Sequence, residues 1–185
     1  MKRARSHLKN AMAILWMAVA FFSCSNDEEV VKAVYHKEGG PSEITEEMLV
    51  YVSRAGKLNY RFYAPVYYGY EYPKKMQVAP KGLVVVGFGS DNDSAFVLTA
   101  DYGIHREQER RMEAKHHVVI RNLETGEVVE TEQIVWDMDA HRVYSGTQTK
   151  QTRPDGSVYI GDSFESDENF EHYTIVKPKM VIYEE

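Results

Sequence analysis

The sequence has a single cysteine in 185 residues, Cys24, so no disulfide can form within the chain. It is poor in positive charge: 22 Lys and Arg against 28 Asp and Glu give a net charge of -6 at pH 7. Four of the cations, Lys2, Arg3, Arg5 and Lys9, fall in the first ten residues, and without them 18 cations face 28 acids, a net charge of -10. A body that acidic lacks the positive stripe that displaces counterions from phosphates, which excludes a nucleic-acid partner. The sequence also has no Gly-x-Ser-x-Gly, His-Glu-x-x-His or Walker loop, and Gly87-Phe88-Gly89 lacks the third glycine of a dinucleotide loop. His116 and His117 are adjacent, and on a strand their side chains point to opposite faces, so one metal ion is not held by both. Asp91, Asp93 and Ser94 lack the spacing of a calcium loop and read as a solvated turn. Among the 28 acids nothing marks out one catalytic pair, so no catalytic residue, metal or cofactor is expected.

Long hydrophobic runs are scarce too, with one uncharged stretch, Ala11 to Phe22, behind a basic start. It is short of the roughly 20 residues a permanent span needs and suits a signal-peptide core, which marks an exported chain. Ser23-Cys24 follows directly, and the segment resembles the lipobox of bacterial lipoproteins, with Phe21 where leucine is usual. That resemblance implies lipidation of Cys24 over residues 1–23 as signal; an uncleaved anchor helix is the alternative. Residues 24–45, with Asp27-Glu28-Glu29 and Gly39-Gly40-Pro41, read as a polar tether, and residues 46–185 as one folded domain.

From Glu46 onward no stretch keeps the 3.6-residue period of a long helix. Thirteen tyrosines, against seven phenylalanines and two tryptophans, favour pleated, half-buried surfaces. Met48, Val50 and Val52 alternate up to Ala55-Gly56, and Leu58, Tyr60, Phe62 and Ala64 alternate after it, the pattern of a hairpin. Further strands are read at Leu83–Phe88, Phe96–Ile104, around Val118 and Ile120, around Ile134 and Trp136, at Val143–Thr152, at Val158–Phe164 and from Tyr173 to the end. Turns fall at 122–127 and at Pro154-Asp155-Gly156. About ten short strands with short loops imply an all-β, antiparallel sandwich, jelly roll or barrel.

Six segments carry a more specific signal by their order and spacing: Pro80-Lys81-Gly82; Leu98-Thr99-Ala100-Asp101; Val118-Val119-Ile120-Arg121-Asn122 with Gly126-Glu127; Thr131 to Asp137; Val143-Tyr144-Ser145; and Gly161 to Asp167. Together they resemble the periplasmic domain of the LptC family over residues 56 to 183. Where family members usually carry glycine this chain has His116 and Ser163. The resemblance implies an antiparallel β-jelly roll open at both ends, without enzymatic activity. It implies lipopolysaccharide transport across the periplasm, with the lipid received from an inner-membrane ABC transporter and passed to a periplasmic jelly-roll partner by edge-strand pairing. The inner membrane is the family's anchoring membrane, while Ser25 after Cys24 would allow sorting to the outer one.

The alternating sets define a candidate lipid-binding lining: Phe62, Leu98, Ala100, Val118, Ile120, Ile134, Trp136, Ile160 and Phe164. Packing of the same residues into a closed core is the alternative. The last strand, with Tyr173, Ile175, Met180 and Ile182 and with Pro178 inside it, is the candidate partner edge, because Pro is tolerated where the ladder is open on one side. A second functional reading places a glycan- or protein-binding surface on exposed tyrosine loops, above all Tyr67-Tyr68-Gly69-Tyr70-Glu71-Tyr72.

Overall fold

β-Branched and aromatic residues at every second position favour extended chain, and a polar turn every ten residues or so returns it alongside itself. A computed structural model describes residues 40–71, 73–89, 93–170 and 172–181. The signal segment, Cys24, nearly all of the tether, Tyr72, Ser90–Asn92 and Ile182 therefore lie outside the described residues. The sheet belongs to the compact unit Pro41–Glu185. Its first strand opens at Glu43, inside the stretch read from sequence as tether.

The described residues form fourteen strands in one sheet, antiparallel at every pairing, so the molecule is all-β as expected. In chain order they are β1 (Glu43–Arg54), β2 (Lys57–Tyr70), β3 (Met76–Ala79), β4 (Leu83–Phe88), β5 (Ser94–Ala100), β6 (Tyr102–Arg106) and β7 (Arg111–Asn122). They continue as β8 (Val128–Asp137), β9 (Arg142–Ser145), β10 (Thr149–Thr152), β11 (Val158–Gly161), β12 (Ser163–Asp167), β13 (Tyr173–Val176) and β14 (Lys179–Val181). The expected β1–β2 hairpin turns at Ala55 and Gly56, both at positive φ, the conformation that matches the twist of the flanking strands.

The shorter strands are halves of longer ones. β3 pairs with β6 and β4 with β5 in nearly continuous register, and the same holds for β9 and β10 against β12 and β11. The interruptions fall in line across the sheet, at Glu47, Pro65, Pro80–Gly82, Asp101, His116–His117, Gly146–Gln148, Asp162 and Lys177–Pro178. Glu47, Gly82, His116, His117 and Lys177 in this row have positive φ, and Asp101 N–H donates to the His116 carbonyl across it at 3.0 Å. Residues that bend or bulge a strand thus crease the sheet into two leaves.

The leaves close on one another. Tyr60 on β2 and Trp136 on β8 are four strands apart in sheet order, about 19 Å if the sheet were flat. Their ring centroids are 5.5 Å apart. The core between the leaves gathers Ala64, Leu83, Phe96, Leu98, Val118, Ile120 and Val129 from one side and Ala79, Ala114, Ile134, Val143 and Phe164 from the other. Gly87 on β4 belongs to this packing, since a Cβ there would overlap the Phe96 ring.

Candidate functional site

The candidate site is the space between the leaves. Of the nine lining positions read from sequence, Leu98, Ala100, Val118, Ile120, Ile134 and Phe164 are buried in the core, and Phe62 and Trp136 are half-buried against it. Ile160 is not among them. It faces outward on β11, beside Lys150 of β10, while Gly161 is buried. The reason is a slip at the crease: the last buried residue of one leaf and the first of the next are three apart, as in Ala100 and Gly103, Thr131 and Ile134, and Gly161 and Phe164. A strict period of two run through Asp162 assigns Ile160 to the wrong face.

Polar residues that the sequence reading passed over also turn inward. Thr131 Oγ1 lies 2.9 Å from both Ser145 Oγ and Thr147 Oγ1, and Thr149 Oγ1 donates to Thr131 Oγ1 at 3.3 Å. Thr131, Ser145 and Thr149 are buried. These hydroxyls bond the backbone where β9 breaks from β10: Thr131 Oγ1 donates to Gln148 O at 3.1 Å, and Thr147 N–H donates to Ser145 Oγ at 3.1 Å. Among the described residues no buried side-chain polar atom is left without a partner.

Beyond this seam, Tyr173 O–H donates to Glu127 Oε2 at 2.6 Å and Gln151 Nε2 to Glu127 Oε1 at 3.1 Å, while Arg153 Nε is 3.2 Å from Glu127 Oε1. Burial and the neighbouring Glu127 carboxylate push the Tyr173 hydroxyl up to about 12. This network rims one mouth of the interior, whose walls are Ile120, Val129, Phe164, Phe170 and Tyr173; the cavity between them is about 10 Å³. At this mouth the space is filled by side chains.

A larger groove of about 460 Å³ runs on the outside of the crease, lined by Tyr63, Pro65, Lys81, Gly82, Val84 and Asp101 among others. Beside it, His117 Nδ1 is 2.5 Å from Asp101 Oδ2, and that hydrogen bond holds the imidazole above its ordinary value. His116 meets a different carboxylate, Glu132, at 3.9 Å. The two histidines do not alternate as strand residues do, because both sit at positive φ in a bulge and both are exposed. His116 thus occupies, with φ of 61°, one of the positions where the resembled family carries glycine. Ser163, the other, stands in β12 opposite Val176.

The tyrosine segment is strand, not loop. Tyr67, Tyr68, Gly69 and Tyr70 complete β2 between β1 and β3 and are half-buried. Burial, with Glu43 and Glu107 nearby, pushes the Tyr67 hydroxyl up to about 12. Tyrosine at successive positions suits a strand covered on both faces, which is why a loop reading failed here.

At the candidate partner edge, β13 pairs with β12 and β14 with β11, and Pro178 lies in the break between β13 and β14. Tyr173 and Ile175 pack on the core, so a partner there would meet backbone; Met180 lies in β14 opposite Tyr159. The opposite edge is β1, which pairs with β2 alone among the described residues. It exposes Ile44 (62%), Leu49 (52%), Tyr51 (58%) and Val52 (46%), more apolar surface than β13 offers. Sequence reading missed this edge, although its alternating apolar residues without proline were visible. It left Phe96 out of the lining, although it reads Phe96 on one face with Leu98 and Ala100, and it missed Phe170, whose place in a turn carries no periodic signal.

No protein-family model and no curated protein matches the chain. Among solved structures it is similar to LptH, the LptA homologous periplasmic component of the conserved lipopolysaccharide transport device from Pseudomonas aeruginosa. The identity is 14%, the TM-score 0.47, and the match covers 68% of this chain and 95% of that one.

Proposed function

We propose that this chain is a non-enzymatic carrier of lipopolysaccharide in the periplasm, held at a membrane through Cys24 or its preceding segment. It takes the lipid from an inner-membrane ABC transporter, in the role of the LptC family it resembles, and passes it to a jelly-roll partner paired along an edge strand. The observation that carries this reading is the crease: it turns one apolar face of a continuous antiparallel sheet inward while, among the described residues, β1 and β13–β14 keep open ladders at the two ends.

The electrostatics favour a grip on acyl chains rather than on phosphates. A net charge of -10 beyond the first ten residues repels an anionic headgroup. Each CH₂ moved from water to the apolar interior contributes roughly 0.8 kcal/mol. With about 10 Å³ free at the mouth, a chain enters by displacing side chains between the leaves rather than by filling a void. Successive carriers of similar affinity then pass the lipid on, and net direction comes from the upstream ATPase. Open edges recruit strands, and pairing with a partner jelly roll by β-augmentation uses that tendency.

A second reading, a surface that binds glycan or protein, is favoured by the crease groove, where Tyr63, Lys81 and Asp101 line a volume of about 460 Å³.

A photo-crosslinking residue placed at Val118, Ile120 or Phe164 in living cells, with outward Arg121 as control, separates the two. Lipopolysaccharide adducts at the inward sites alone are expected for the carrier. Well-expressed, folded protein without inward adducts would end the transport reading and turn attention to the groove.

A further inference from the structure

Phe170 is the one apolar wall of the interior mouth that comes from a turn; Ile120, Val129, Phe164 and Tyr173 come from strands. Its φ is 58°, a region that bulky residues avoid. Its ring is nevertheless 7% exposed, set edge-on to Phe96 at 4.7 Å and stacked on Phe164 at 6.4 Å. A strained backbone is thus held by burial of one ring, in a place where the strands already supply the walls.

The turn that carries the ring joins β12 to β13 and is tied through its own carboxylates. Trp136 Nε1 donates to Glu168 Oε1 at 2.7 Å, and the backbone N–H groups of Asn169 and His172 donate to Asp167 at 3.2 and 3.0 Å. The β12–β13 register ends at the Ser166 and Tyr173 pair, and beyond it Asp167 N–H donates to His172 O at 3.1 Å and Phe170 N–H to Asp167 O at 3.3 Å; rotation about the Phe170 side-chain bonds moves the ring outward and leaves these backbone bonds in place. Behind it lies the apolar face of Phe96 and Ile120. The polar rim of Glu127, Tyr173 and Gln151 is satisfied internally, and what an occupant would gain is therefore apolar contact.

We propose that this mouth is an alkyl-chain port and that Phe170 is its displaceable plug, holding the space of a single acyl chain until one takes its place. The inference rests on the carrier reading and adds to it the point of entry and the residue that guards it. An apolar cavity on the order of 150 Å³ lined by aliphatic and aromatic groups stays dry and accepts an apolar ligand, which is the behaviour expected once the ring has left.

The test titrates the purified chain with 11-(dansylamino)undecanoic acid and displaces it with lauric acid. Phe170→Ala is expected to bind the probe about tenfold more tightly than the unaltered chain, the gain of roughly two buried methylenes. Glu168→Ala keeps the ring but cuts the tie to Trp136, and is expected to tighten binding about threefold. Unchanged affinity in folded Phe170→Ala overturns the plug. If that variant does not fold, unchanged affinity in Glu168→Ala does so instead. Crosslinking at Ile120 distinguishes the two layers of the account. Lipopolysaccharide adducts together with unchanged probe affinity in the variants refute the plug and leave the carrier standing. Tighter probe binding without adducts refutes the carrier and leaves an alkyl port.

Discussion

The two sides of the interior differ in chemistry: one is apolar throughout, and the other carries a polar seam among its apolar residues. On β2, β4, β5 and the end of β7, the buried residues are Ala64, Leu83, Phe96, Leu98, Ala100, Val118 and Ile120. On β8, β9 and β10 the buried Val129, Ile134 and Val143 are joined by Thr131, Ser145, Thr149 and Gln151. The polar side is stapled, because its hydroxyls bond one another and the carbonyls freed where β9 and β10 part. The apolar side is held by non-directional contact, which tolerates sliding and replacement by another apolar surface. The difference assigns separate tasks: one side fixes the crease, and the other can open to an alkyl chain.

Three experiments break or sharpen that contrast. The largest effect is expected for Phe164→Ala, whose side chain is 2% exposed and whose ring stacks on Phe170 and Tyr173 in the core. A loss of about 3–5 kcal/mol in urea unfolding follows from the missing ring and the cavity it leaves. Next comes an exchange between the sides. Thr131→Val removes the hub of the hydroxyl seam, and Val118→Thr buries a hydroxyl among aliphatic groups. Each is expected to cost about 1–3 kcal/mol, although the first makes the interior more apolar. Hydrogen exchange at Thr147 and Thr149 should rise in Thr131→Val and stay unchanged in Val118→Thr. A neutral Thr131→Val would mean that the seam does not fix the crease.

The smallest effect concerns His105 on β6, half-buried, with Nδ1 2.8 Å from Gln77 Oε1 of β3. Burial lowers its imidazole below the ordinary value of 6.5, against an opposing pull from Glu107. The unfolded chain therefore binds this proton more readily than the folded one. The group's contribution to stability is full above pH 6.5 and is lost as pH falls through its lowered folded value. Unfolding midpoints measured from pH 8 to 5 should fall less in His105→Gln than in the unaltered chain.

Much of the architecture was legible because it rests on local rules. The Ala55–Gly56 hairpin, the turns at Gly126 and Gly156 and the antiparallel order all follow from alternation and turn chemistry, and the three glycines have the positive φ these turns need. The crease was not legible as such. Pro65, Pro80 and Gly82 hinted at breaks in single strands, but their alignment across the sheet depends on register, which alternation alone does not give. That gap misplaced Ile160 and the histidine pair. Tyr67–Tyr70 were misread because both faces of a strand between two neighbours can be partly covered. Phe170 was invisible because an isolated aromatic in a polar turn looks exposed until the fold folds it inward.

The most direct measurement of the central idea, that acyl chains enter between the leaves, is a methyl NMR titration of the chain with a short-chain lipid A. The account predicts shifts at Leu98, Val118 and Ile120 inside, with Leu49 and Leu123 outside unmoved. Shifts confined to Val84 in the crease groove, or none at the inward methyls, would contradict it.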